Sequence, residues 1–213
     1  MENVKINKNK YLEVNMIINT RELRGDKESF TDVIKKHPNL DRPGYYRWWA
    51  KKDELEKLFN TKLLDKKYLD LIKLKPSGKG ELESYYHIYT GVAIKESLYD
   101  RLNWHINQKH TENAIKYGIL STLRQSISSL IYDGKQEQAE ETTNKFIDEL
   151  KVEYFPLDHE IKSDEAKIII EAKEKEDINN YILILNIKGN NKNELKDFKN
   201  DLKQLRKQSR ENK

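Results

Sequence analysis

The stretch from Tyr85 to His105 constrains the fold more than any other part of the chain. Tyr85-Tyr86-His87-Ile88-Tyr89-Thr90-Gly91 has the aromatic and β-branched content of a strand. A turn follows, then a helix carrying Arg101 and His105. Strand and helix therefore alternate, which weighs against a purely helical interaction protein whose tyrosines are ordinary core residues. A spacing of four puts Arg101 and His105 on one helix face, beside Trp104 and Leu98. A guanidinium there suits a phosphate. Taken alone, the helix also fits a structural ion pair and a capped histidine.

The remaining elements follow from periodicity and punctuation. Residues 1–42 read as an N-terminal arm with a short apolar run, Val14 to Ile18, and a helix from Ser29 to Lys36. Asn39 to Pro43 is a turn cluster, and Gly44 to Ala50 an aromatic-rich strand. An insertion, 51–83, holds helices at 53–60 and 66–74 and the loop Pro76 to Gly80. After the strand at 84–92 come helices at 97–108, 112–118 and 121–132, the last stopped by Asp133-Gly134. Gln136 to Leu150 is a further helix and Lys151 to Leu157 alternates as a strand. Ser163 or Asp164 caps a helix reaching Asn180. Tyr181 to Ile187 is apolar, either a buried strand or an extended segment. The tail 191–213 forms a basic amphipathic helix on Leu195, Phe198, Leu202 and Leu205. A few strands separated by helices define an α+β class.

Composition excludes some chemistry. The 213 residues contain no cysteine, so disulfides and thiolate metal sites are ruled out, and a reducing cytoplasm suits the chain. No apolar run approaches the ~20 residues of a membrane span, and Met1 to Lys10 has no signal-peptide core. The net charge of +4 resides in the tail from Lys192, which holds eight basic and four acidic residues. Such a tail binds nucleic acid by counterion release or is a solvated, salt-bridged helix face; charge alone favours the latter.

Three further groups carry chemistry. Tyr46 and Tyr89 share a face if their two strands pair, and a phenol of ordinary pKa ~10 needs a cationic or metallic neighbour to act as a base. On the helix 164–180, Ile170 and Ile178 mark an apolar stripe and Glu174 lies midway. A carboxylate there either pairs, binds a hard cation such as Mg²⁺ or Mn²⁺, or reaches solvent at the stripe's edge. Asn186 closes the apolar run and could hold a phosphate or fix a loop. The other histidines show no metal-ligand spacing, and no Gly-rich phosphate loop is present.

In order, these residues resemble the GIY-YIG nuclease family. Gly44-Tyr45-Tyr46 is similar to its first motif, with Tyr45 in place of isoleucine, and Tyr89-Thr90-Gly91 to its second, with Thr90 in that place. Arg101 with His105, then Glu174 and Asn186 twelve residues apart, resemble the family's later polar positions. Gly118 to Ser126 resembles a stretch of one family branch. The resemblance spans residues 43–190 and departs from the family in its long 51–83 connection. It implies a small central antiparallel sheet of about three strands flanked by helices. It also implies a divalent metal, Mg²⁺ or Mn²⁺, on Glu174 and hydrolysis of a DNA phosphodiester. Arg101 would grip the phosphate, Tyr46 would orient or deprotonate water, Tyr89 would support it, His105 is a second base, and Asn186 would order the site. Glu165 and Glu171 are rivals to Glu174 if the helix register differs.

The expectation is a Mg²⁺-dependent endonuclease acting on duplex DNA, in a restriction role. The arm, the insertion and the basic tail would then supply DNA grip or homodimerisation. The alternative is an inactive module of the same fold that binds nucleic acid or protein. Retention of all five polar positions argues against it.

Overall fold

The computed structural model describes residues 16–25, 30–59, 68, 71, 78–131 and 136–211. The Ser29 cap, most of the helix expected at 66–74, the Pro76-Ser77 part of the loop, the Asp133-Gly134 stop and Val14 lie outside the described residues.

Four strands form one antiparallel sheet: β1 (Met16–Asn19), β2 (Gly44–Lys51), β3 (Tyr85–Ala93) and β4 (Lys151–Pro156), in the order β1-β4-β2-β3. The expected three are the β4-β2-β3 core of this sheet. The fourth, β1, comes from the arm and pairs with β4 from Met16 opposite Tyr154 to Asn19 opposite Lys151. Its four residues are too few for alternation to announce a strand, so long-range pairing decides its state.

The helices are α1 (Phe30–Lys36), α2 (Lys52–Phe59), α3 (Leu98–Asn107), α4 (Glu112–Lys116), α5 (Thr122–Ile131), α6 (Gln136–Asp148), α7 (Asp164–Asn180) and α8 (Lys196–Glu211). Hydroxyl caps start four of them, Ser121 at α5 accepting from the Arg124 amide at 3.3 Å. Ser97 accepts from the Asp100 amide at 3.0 Å, Thr111 from Ala114 at 3.2 Å and Ser163 from Ala166 at 3.3 Å. No helix among the described residues is long and apolar enough to cross a membrane.

Strand β2 is the centre of the molecule because helices cover both its faces. Tyr46 and Trp48 point to one side and meet His105 of α3 edge-on, with ring centroids 5.6 and 5.7 Å away. Tyr45 and Arg47 point to the other side, where α7 lies. Tyr45 packs with Ala166, Ile169 and Ile170, and Arg47 pairs with Asp177. Burying each isoleucine there contributes roughly 1.5–3 kcal/mol. Helix α8 lies outside α5 and anchors through Phe198 and Leu202.

Strand β3 is an exposed edge by topology, a place where unpaired backbone groups need cover. The segment Tyr181 to Ile187 supplies it without becoming a strand. The Leu185 amide donates to the Ile88 carbonyl at 3.0 Å. The Asn186 amide accepts from the Thr90 N–H at 2.8 Å and donates to the Thr90 carbonyl at 2.9 Å. One side chain thus reproduces a ladder pair, and the backbone is free to turn at Ile184 and Leu185.

Candidate active site

The two motif glycines are explained by close approach. Strands β2 and β3 pair with Tyr46 opposite Gly91 and Trp48 opposite Tyr89. Tyr46 and Tyr89 therefore share a sheet face, and the Tyr46 ring lies flat across Gly91. A Cβ on Gly91 would stand 2.5 Å from the Tyr46 hydroxyl oxygen. On Gly44 it would meet the Phe155 carbonyl oxygen at 2.3 Å and Leu98 at 2.9 Å. Gly91→Ala should push the Tyr46 phenol off its partners. The expected result is a folded protein whose nuclease activity falls at least about tenfold, of the order expected when an aligned proton-transfer group is displaced. Wild-type cleavage rates in that variant would show that the Tyr46 position is not needed.

Tyr46 has no exposed surface, and its hydroxyl lies 2.7 Å from Nε2 of His105. His105 is equally buried, and its Nδ1 lies 2.8 Å from the Ser121 hydroxyl. Burial, then the charges of Arg101 and Arg124, hold His105 well below the usual histidine range, so it is neutral. A neutral imidazole has one N–H and one lone pair. In the tautomer that donates Nδ1–H to Ser121, the Nε2 lone pair faces the Tyr46 O–H. Burial, then Tyr89, raises the Tyr46 phenol well above its ordinary value, while Arg101 opposes this. The phenol is thus protonated and aimed at an acceptor.

Arg101 acts on the Tyr46 hydroxyl both through its charge and as a hydrogen-bonding neighbour, and its Nε is buried without an acceptor. Its guanidinium carbon sits 4.5 Å from the Trp104 ring centroid and one nitrogen contacts Glu96 at 3.3 Å. The other donors remain available on a side chain 23% exposed. Tyr89, pushed up to about 12 by burial, feels both Arg101 and Glu174.

Glu174 completes the cluster from α7. It is half-buried and, among the described residues, has no hydrogen bond or ion pair. Burial raises its carboxyl pKa, with Lys188 and Arg101 opposing. Ile170 and Ile178 of the expected stripe are buried, and Glu174 sits at the stripe's edge. Glu165 is exposed beside His159, and Glu171 is exposed one turn from Glu174, whose carboxyl it acts on electrostatically. The structure therefore brings Tyr46, Tyr89, Arg101, His105 and Glu174 together. Asn186 is buried against the Thr90 backbone, with its amide spent on that strand edge.

Several supporting residues escaped the sequence reading. Ser121 orients His105. Arg124 is fully buried and ties down the end of α3, donating to the carbonyls of His105 and Ile106 at 3.1 and 3.0 Å and to His110 Nε2 at 2.8 Å. Arg47 grips Asp177 with two bonds of 2.7 Å and contacts Glu153 at 3.4 Å. Thr90 adds a 3.3 Å contact to Asp177. Ser121 and Arg124 lie inside the stretch singled out in sequence, but their partners are visible only in three dimensions.

Two phenols, an arginine and a carboxylate with no partner among the described residues thus form one electrostatically coupled cluster. A family model described as the GIY-YIG catalytic domain matches residues 44–208, and the chain belongs to that family. No curated protein and no solved structure matches the chain. The family match extends to within a few residues of the end of α8.

Proposed function

We propose that the protein is a metal-dependent endonuclease of duplex DNA, acting in a restriction system in the cytoplasm, with Mg²⁺ or Mn²⁺ held at Glu174. The observation that carries this reading is the pairing of an unpartnered, half-buried Glu174 carboxylate with Arg101, whose Nε is an orphaned donor. The carboxylate lacks a cation, and the guanidinium, held by Glu96 through one nitrogen at 3.3 Å, keeps donors to spare. A hydrated divalent ion and a phosphodiester satisfy both.

The donor set fits a hard ion that keeps most of its water. It offers one carboxylate and no thiolate, and no group of three or more acidic or histidine ligands occurs among the described residues. When bound, such an ion supplies charge neutralisation on the phosphate and stabilisation of the departing oxygen. The chain's own residues do the rest. Arg101 holds the scissile phosphate by charge-assisted hydrogen bonds. Tyr46 takes the proton of the attacking water while passing its own to His105 Nε2, so no free phenolate has to form. Water reaches Tyr46 from the Arg101 side, because Arg101 is partly exposed and Tyr46 is not. Ser121 fixes the histidine tautomer, Tyr89 supports Tyr46 on the same face, and Asn186 keeps β3 in register.

The test is incubation of the purified protein with phage DNA in Mg²⁺, with chelator in parallel. Discrete bands that chelation removes are the expected result. A smear would replace site-specific cleavage with nonspecific hydrolysis. Intact DNA under all metals would favour a binding module that keeps the fold.

A further inference from the structure

Helix α8 carries two arginines that its role as a packing helix does not explain. Arg206 and Arg210 lie one turn apart, and like charges at that spacing repel. Lys207, exposed on the same helix, has Glu211 at 3.7 Å. Neither Arg206 nor Arg210 has a carboxylate partner among the described residues. Arg206 donates to the neutral Gln125 side chain of α5. Arg210 packs its guanidinium against Gly118, with atoms 3.0–3.3 Å from where a Cβ would stand, and its Nε is buried without an acceptor. Both side chains are half-buried, so each keeps an accessible edge. Burial and the charge of Arg210 lower Arg206 to about 10, still cationic at neutral pH.

Their position connects them to the catalytic cluster. Arg206 acts electrostatically on Tyr89, the same phenol that Arg101 and Glu174 act on. Gln125, which holds Arg206, is one turn along α5 from Ser121, which holds His105. Arg206 therefore stands beside the site on the side of α5 and α8, and Arg210 lies one turn beyond it on the same helix. A repelling pair with an orphaned donor is stabilised by an anion placed between its members.

We propose that Arg206 and Arg210 bind a backbone phosphate of the DNA substrate next to the scissile one, forming a second anion site beside that of Arg101. This rests on the nuclease reading above. It assigns the grip to the inward arginines of α8 rather than to its exposed lysines. Two phosphate contacts at fixed spacing hold the backbone in register against Tyr46.

The test is fluorescence anisotropy of a labelled duplex over a salt series, with Ca²⁺ in place of Mg²⁺ to suppress cleavage. Wild type is compared with the double variant Arg206→Gln/Arg210→Gln, with Arg206→Lys and with Lys207→Gln. The plot of log affinity against log salt should be shallower by about 0.9 in the double variant, from roughly 0.9 per lost phosphate. Arg206→Lys and Lys207→Gln should keep the wild-type slope. If the double variant melts early, Arg210→Gln alone, which loses no hydrogen bond, should still weaken binding at low salt and give a shallower slope than wild type, by less than about 0.9. A wild-type slope in the double variant or in Arg210→Gln, or an equal loss in Lys207→Gln, would overturn the proposal while leaving the nuclease reading in place. A wild type that binds no duplex would overturn that reading itself.

Discussion

Glu174→Gln should abolish metal-dependent DNA cleavage, with a loss of at least about a hundredfold to a thousandfold, while the protein melts no earlier than wild type. The two halves of this result follow from one observation. The Glu174 carboxylate is half-buried, raised by that burial, and has no partner among the described residues. It contributes nothing to folding that glutamine would remove, and an unpaired buried charge is a cost to the folded state. Its retention therefore points to chemistry. An equal loss of activity and stability would mean that Glu174 serves packing instead. Cleavage at the wild-type rate would remove it from the site altogether.

Asp177→Ala should have the opposite signature, a large loss of stability. Asp177 lies one turn beyond Glu174 and is almost fully buried, receiving two 2.7 Å bonds from Arg47. Removing it leaves the guanidinium, which is only 20% exposed, facing Glu153 alone at 3.4 Å. Breaking a buried pair from one side costs about 3–5 kcal/mol. For a chain of this length that corresponds to a fall in Tm of roughly 6–20 °C. Arg47 and Asp177 also fix the rotation of α7 against β2, so the variant should lose metal-dependent activity even at temperatures where it stays folded. Thermal melting followed by circular dichroism, with cleavage measured well below the transition, separates the two effects. A variant of wild-type stability would mean that the pair merely offsets its own desolvation.

The polar cluster was legible because each member sits in an element with a strong local signal. Tyr46 and Tyr89 lie in aromatic strands ended or begun by glycine, and Arg101 and His105 share a helix face by spacing alone. Pairing of β2 with β3 then makes the two phenols neighbours. The fold class follows from the same alternation of strands and helices. Other features depend on contacts that no local pattern encodes. Strand β1 is defined by β4, 132 residues or more away in sequence. Glu174 lies at the edge of the apolar stripe, and the acid truly buried on α7 is its neighbour Asp177. Arg47, Ser121 and Arg124 are ordinary surface-type residues in sequence and become supports only when α3, α5 and α7 close on the sheet. Arg206 was hidden in a basic tail whose charge alone suggested a solvated face.

The central claim is that Glu174 holds the metal beside Arg101 and Tyr46. Electron paramagnetic resonance of Mn²⁺ titrated into the protein with a duplex tests it most directly. Wild type should immobilise about one ion per chain, as expected of a single carboxylate completed by water and phosphate. Glu174→Gln should leave the free Mn²⁺ signal undiminished. Equal immobilisation by the two proteins would contradict the account.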